Sequence, residues 1–258
     1  MAKINYTNAL KNEYENLFKS CEITSSKFSE VDALCQSLLA NKNRYEQVVQ
    51  ELKIPWYLVA VIHNMESSQN FTRHLHNGDS LNARTTHVPA GRPSMGTPPF
   101  TWEQSASDAL KYRNLHRIGT WDLTRVLYEI EGYNGWGYRL YHAHVLSPYL
   151  WSYSNHYVSG KYIADGRWSD TAKSKQCGAI VLLRRLEEMG AINFDSTVQA
   201  DKPIFIYATS VLPHGEEIQR FVNNYDGISV RVDGWPGEKT SDAVKKLFGF
   251  YLKGDPRS

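Results

Sequence analysis

The sequence predicts a mainly α-helical protein, and three observations predict it. Apolar residues recur at helical spacing in one segment after another up to about residue 192. The one long interruption, residues 69–100, is rich in Gly, Pro, Asn and Thr. After residue 192 the composition shifts to a polar connector, "NFDSTVQADKP", and then to a short second unit. The domain expectation is 1–195 for a main helical domain with a long loop or small hairpin, and 196–258 for a small helical C-terminal domain.

The elements follow in order. Residues 3–20 place Leu10, Leu17 and Phe18 on one side of a helix. Residues 28–52 read as helical, starting at Ser29 with an acid behind it. Pro55 suits the first turn of "WYLVAVIHNMES", which ends near Ser67 or Ser68. The 69–100 loop directly follows Glu66 and is expected to fold back over it, partly as a short hairpin. Thr101 caps "WEQSASDALKYR", with Gln104 at the capping-box position. Thr120 is the expected cap of "TWDLTRVLYEIEGY", and "NGWGYRLYHAHV" follows as a helix. An aromatic loop covers 147–168, and "DTAKSKQCGAIVLLRRLEEMG" reads as a helix stopped by Gly190. Beyond the connector come strand-like "IFIYA", helix "GEEIQRFVNNY", a turn, and helix "TSDAVKKLFGFYL".

Composition narrows the function classes. With 41% hydrophobic residues, 22% charged residues and a net charge of +2, the chain has an ordinary soluble make-up. It has no basic run of the kind nucleic-acid binding needs. No segment approaches the roughly 20 apolar residues that span a bilayer, so no membrane insertion is expected. The N-terminus lacks a signal peptide's apolar stretch. The expectation is therefore synthesis in the cytoplasm and, for any action outside, delivery by other means; a monomer is the expected state. Cys21, Cys35 and Cys177 fit neither a zinc module nor a disulfide framework. They read as reduced core thiols, with a Cys21–Cys35 bridge as the alternative. The 16 Tyr and 7 Trp can fill a core or stack on sugar rings.

The sharpest feature is "AVIHNMESSQNF", where Glu66 ends an apolar run. A carboxyl among apolar neighbours is costly when ionised, so burial raises its pKa from about 4.3 and keeps the proton on. That is the property a general acid needs at neutral pH. A solvated, idle helix-end Glu is the plainer alternative.

"MESSQNF" resembles the Glu-Ser element of the lysozyme-like superfamily, which includes lytic transglycosylases and goose-type lysozymes. "IEGYNGWGYR" resembles the Tyr-Asn-Gly element of the same transglycosylases. The tail "EEIQRFVNNYDGISVRVDGWPGEKTSDAVKKLFGF" resembles a peptidoglycan-binding domain. The resemblance implies a lysozyme-like helical domain acting on peptidoglycan glycan strands, a muramidase or a lytic transglycosylase of endolysin type. In it Glu66 would be the catalytic acid, no cofactor would be needed, and the tail would bind the cell wall. The Gly-Leu-Met-Gln element expected after Glu-Ser is absent, and "HNGDSLNARTTHVPAGRP" stands in its place, which leaves hydrolysis more open.

Hydrolysis calls for a second group to hold water. Asp79 is the candidate, with Thr85 or Thr86 beside it; an Asn-Gly-Asp turn is the other reading of Asp79. Glu103 is a second candidate for that group, although it better suits the first turn of its own helix. Tyr133 and Asn134 would bind substrate or steady Glu66, and Ser67, Gln69, Arg84 and Trp136 would line a sugar groove. His63, Glu66, His74 and His76 lack the HExxH spacing of a zinc protease, so no metal is expected.

Overall fold

The computed structural model describes residues 4–164, 166–194, 205–212 and 214–257. The chain divides into two compact units, Met1–Phe194 and Asp195–Ser258. The described part is mainly helical, with one small two-stranded sheet.

The first unit is built around α4 (Trp56–Ser67). Residues Leu58 through Met65 of this helix are all buried, including His63 and Asn64, so it is apolar nearly all round and lies inside the unit. Burial of each large aliphatic side chain, such as Leu58 or Ile62, contributes about 1.5–3 kcal/mol before conformational entropy is counted. Around α4 pack α3 (Lys42–Val49), α6 (Leu123–Asn134) and α9 (Ala179–Glu188). Outside these, α1 (Asn8–Lys19) lies on α6, and α2 (Phe28–Ala40) on α9. The helix α5 (Trp102–Tyr112) lies on α3. Two short helices, α7 (Gly137–Tyr141) and α8 (Pro148–Trp151), precede the hairpin of β1 (Lys161–Ala164) and β2 (Arg167–Ser169). The strands are antiparallel, with Tyr162 opposite Trp168.

Several boundaries differ from the expectation for physical reasons. The helical stretch 28–52 divides into α2 and α3 at Asn41, whose side chain donates to the Ser37 carbonyl and competes with helical bonding. Asp122, not Thr120, caps α6 by accepting from the Arg125 amide. The helix α9 starts only at Ala179: a Cβ on Gly178 would stand 2.3 Å from the Leu150 carbonyl oxygen, so the chain must first pass α8 at backbone contact. The 69–100 loop holds a single bridge, Arg73 to Ser80, and the hairpin falls instead within the aromatic segment. Thr101 and Gln104 form the expected capping box. All three cysteines are buried and free. Among the described residues no helix is long and apolar enough to cross a membrane.

The second unit has its own core of Ile218, Val222, Ala243, Val244 and Leu252, carried mainly by α10 (Gly215–Val222) and α11 (Glu238–Phe248). Gln219 is its buried polar hub. Its Oε1 accepts from the amides of Asp233 and Gly234, and its Nε2 donates to Asp233 Oδ1 and the Trp235 carbonyl. The "DGWPG" turn is thus wrapped around one glutamine amide. A Cβ on Gly215 would stand 2.1 Å from the Gly234 carbonyl oxygen, so that crossing also requires glycine. Of "IFIYA", Ile204 lies outside the described residues, and Ile206 forms a parallel bridge to Lys253.

Candidate active site

The site forms where α4 stops. Ser68 and Gln69 both adopt left-handed backbone, at φ 53° and 61°, and their amides bond to the Asn64 and His63 carbonyls. Two consecutive non-glycine residues in this region cost of order 1 kcal/mol each. Gln69 offsets part of this by donating to Asn64 Oδ1 at 3.0 Å and to the Leu34 carbonyl. From the α9 side, the Gln176 amide donates to the Met65 carbonyl at 2.8 Å. The last turn of α4 is therefore fixed from both sides, and Glu66 with it.

Glu66 is half-buried. Tyr149, on α8, donates its hydroxyl to Glu66 Oε1 at 2.8 Å. Burial pushes the Glu66 pKa up to about 7, against the smaller opposing effects of the Tyr149 hydrogen bond and the Arg113 charge. Arg113 donates to the Gly132 and Tyr133 carbonyls at the end of α6 and lies 4.4 Å from the Tyr133 ring centroid. Tyr133 is buried, and its hydroxyl donates to the Leu75 carbonyl at 2.8 Å. The Glu66 charge is one cause of the raised pKa of both tyrosines, after burial.

The loop returns to the same place. Gly78, at φ 77°, passes so close that a Cβ there would stand 2.6 Å from the Glu66 carbonyl oxygen. Asp79 follows. Its Oδ2 accepts from the Thr86 amide and hydroxyl, the His87 amide and the Asn77 side chain, and its Oδ1 accepts from His87 Nδ1. Burial raises the Asp79 pKa, but the His87 and Thr86 hydrogen bonds outweigh it and hold the carboxyl well below the usual range. The buried Thr85 hydroxyl donates to the Pro89 carbonyl and accepts from the Arg92 amide. Both groups thus serve the loop's own shape.

A row of buried side chains pins this loop to α5. His74 Nε2 meets the Ala83 carbonyl, and its Nδ1 is 2.8 Å from Ser105 Oγ. Ser105 Oγ lies 3.4 Å from His76 Nδ1, and His76 Nε2 lies 2.8 Å from Asp108 Oδ2. Arg92 closes the row with two bonds to Asp108.

The other sequence candidates divide. Ser67 is buried and returns its hydroxyl to the His63 carbonyl. Arg84 lies beside Phe100, 5.5 Å from its centroid, and donates to the Gly96 carbonyl. Asn134 is exposed at the end of α6, and Trp136 is buried against Tyr128 at 4.9 Å. Glu103 pairs with Arg44. His63 contacts the Tyr45 hydroxyl in the core, where burial pushes its pKa down to about 4. The arrangement brings together Glu66, Tyr133 and the backbone of residues 75–78. It adds Tyr149, Arg113 and Gln176, which the sequence reading did not single out. Pro148 at a helix start could have flagged a short helix there, but no local pattern tells which of 16 tyrosines reaches Glu66.

No family model matches the chain, and neither a curated protein nor a solved structure does.

Proposed function

We propose that this protein cleaves the glycan strands of peptidoglycan, with Glu66 as the general acid. One observation carries the reading: a half-buried carboxyl ends an apolar helix, where burial pushes its pKa up to about 7. Glycosidic bonds break when the leaving oxygen is protonated, and a donor must be loaded at the working pH. The Tyr149 hydroxyl donates to Oε1, and in this reading the transferable proton is assigned to Oε2. Once the proton leaves, Tyr149 and the nearby Arg113 charge stabilise the carboxylate. The lysozyme-like resemblance is supported by a glutamate at a helix end, a Tyr-Asn-Gly helix approaching it, and a loop between them.

Muramidase action would need a solvent water held by Asp79, Thr85 or Thr86. The four donors on Asp79 Oδ2 and the fully used Thr85 hydroxyl favour the other variant, lytic transglycosylation. There the substrate's own acetamido group assists and no second carboxylate is needed. The second unit would hold the wall, and the protein would act there after delivery or release.

The test is digestion of purified sacculi followed by mass spectrometry. Anhydro-muramic ends mark transglycosylation, and reducing muramic ends mark hydrolysis. Glu66→Gln is expected to abolish both, and EDTA to leave release unchanged. Undiminished product from Glu66→Gln overturns the proposal, and binding without product from the wild type identifies a catalytically silent wall-binding protein instead.

A further inference from the structure

The second unit carries exposed aromatic rings that its core does not use. Phe221, Phe248 and Phe250 are 43%, 46% and 61% exposed. The Phe221 and Phe248 rings are 15° from parallel with centroids 6.2 Å apart; Phe248 and Phe250 are 31° from parallel at 6.1 Å. Each ring thus lies about 6 Å from the next, and the three exposed rings form one contiguous aromatic platform. Tyr225, 42% exposed, meets Phe221 edge-on at 5.5 Å and bounds one end.

The backbone accounts for the alignment. α10 buries Ile218, Gln219 and Val222, which leaves Phe221 on the outer side. α11 ends at Phe248, and Gly249 at φ 82° caps it in the left-handed region. That turn returns the chain so that Phe248 and Phe250 come to lie beside each other. Two exposed lysines sit in the last turn of α11: Lys245 donates to the Gly249 carbonyl and Lys246 to the Gly227 carbonyl. Among the described residues neither forms an ion pair, and Lys245 also lies 5.2 Å from the Tyr251 ring centroid.

We propose that this platform is a glycan-binding site that takes an amino-sugar strand bearing carboxylates, and this rests on the peptidoglycan reading above. The apolar faces of pyranose rings lie flat on aromatic rings, and a step of about 6 Å is comparable with the length of one sugar residue. Lys245 and Lys246 would meet the carboxylates of the peptide stems that such a strand carries. The platform would hold the wall while Glu66 cleaves it, and it contains no residue of the candidate active site.

The experiment uses the full chain carrying Glu66→Gln, so that bound sacculi stay intact, and measures co-sedimentation with purified sacculi. Phe221→Ser and Phe250→Ser, alone and together, remove exposed rings and spare the core; circular dichroism and the melting temperature check the fold. The double variant is expected to bind at least tenfold more weakly, and Lys245→Gln/Lys246→Gln to lose much of its salt-sensitive binding. Binding unchanged in the double variant overturns the proposal. A wild-type dimer that the double variant converts to monomer also overturns it, by assigning the platform to a second copy. The same Phe variants with Glu66 intact are assayed on soluble glycan fragments. Cleavage there with lost sacculus binding supports both readings. No cleavage by the wild type, with ring-dependent binding, removes the catalytic reading and leaves the platform standing.

Discussion

At the scale of single residues, Glu66 is the group whose ionisation has the largest consequences. Its proton affinity is set by burial, so its effect on stability has a definite sign. The ordinary value is 4.5 and the folded value about 7. Between them the native state binds more protons than the unfolded chain, and stability falls as pH rises through that window. Glu66→Gln removes this dependence. The variant should be more stable than the wild type at pH 8 by about 1–2 kcal/mol, allowing for the residue's partial exposure, and the gain should vanish at pH 4. Thermal denaturation at the two pH values measures it. Tyr149→Phe acts in the other direction on the same group. The hydroxyl lowers the Glu66 pKa, so its loss should shift the alkaline limb of the rate profile upward and reduce the rate about tenfold. A pH–rate profile separates the two effects. The half-buried carboxyl at the helix end was legible in the sequence, because an apolar run that ends on a carboxyl is a local pattern. Its tyrosine partner was not, because Tyr149 lies 83 residues away and arrives through tertiary packing.

At the scale of elements, the site depends on close backbone approaches. Gly78 lies against the Glu66 carbonyl with a positive φ. Gly78→Ala should cost about 1–3 kcal/mol and lower cleavage disproportionately, because the loop can yield only by moving off the acid. Chemical denaturation and turnover on the same samples check this. The sequence marked 69–100 as a functional loop from its turn residues, and the loop does return to Glu66. Asp79 was harder to read. Asn-Gly-Asp fits a turn or a catalytic carboxylate, and the donors from Thr86 and His87 that the carboxylate meets come from residues seven and eight positions on, outside that local pattern. The break at Asn41 was hidden for a similar reason: the apolar period continues across it, while a single side chain bonds back to Ser37.

At the scale of the whole molecule, the two units have separate cores. Val222 is fully buried in the smaller one. Val222→Ala should lower a distinct calorimetric transition, by about 1–3 kcal/mol, and leave cleavage of soluble fragments intact. The boundary was legible because composition changes there. The wrapping of "DGWPG" around Gln219 gives a physical reason for that turn and that glutamine to occur together.

The row from His74 to Arg92 has a consequence for the conditions under which the proposed cleavage would run. His76 is buried, and burial lowers its pKa, with Asp108 opposing and the His74 and Arg92 charges adding to the fall. Its contribution to stability is complete above the ordinary value of 6.5 and declines as the medium turns more acid. Acidification therefore weakens the clasp on residues 74–92, while alkali strips Glu66. Each flank of the useful pH range would then be set by a different fault: an emptied donor on one side, an unfastened cover on the other.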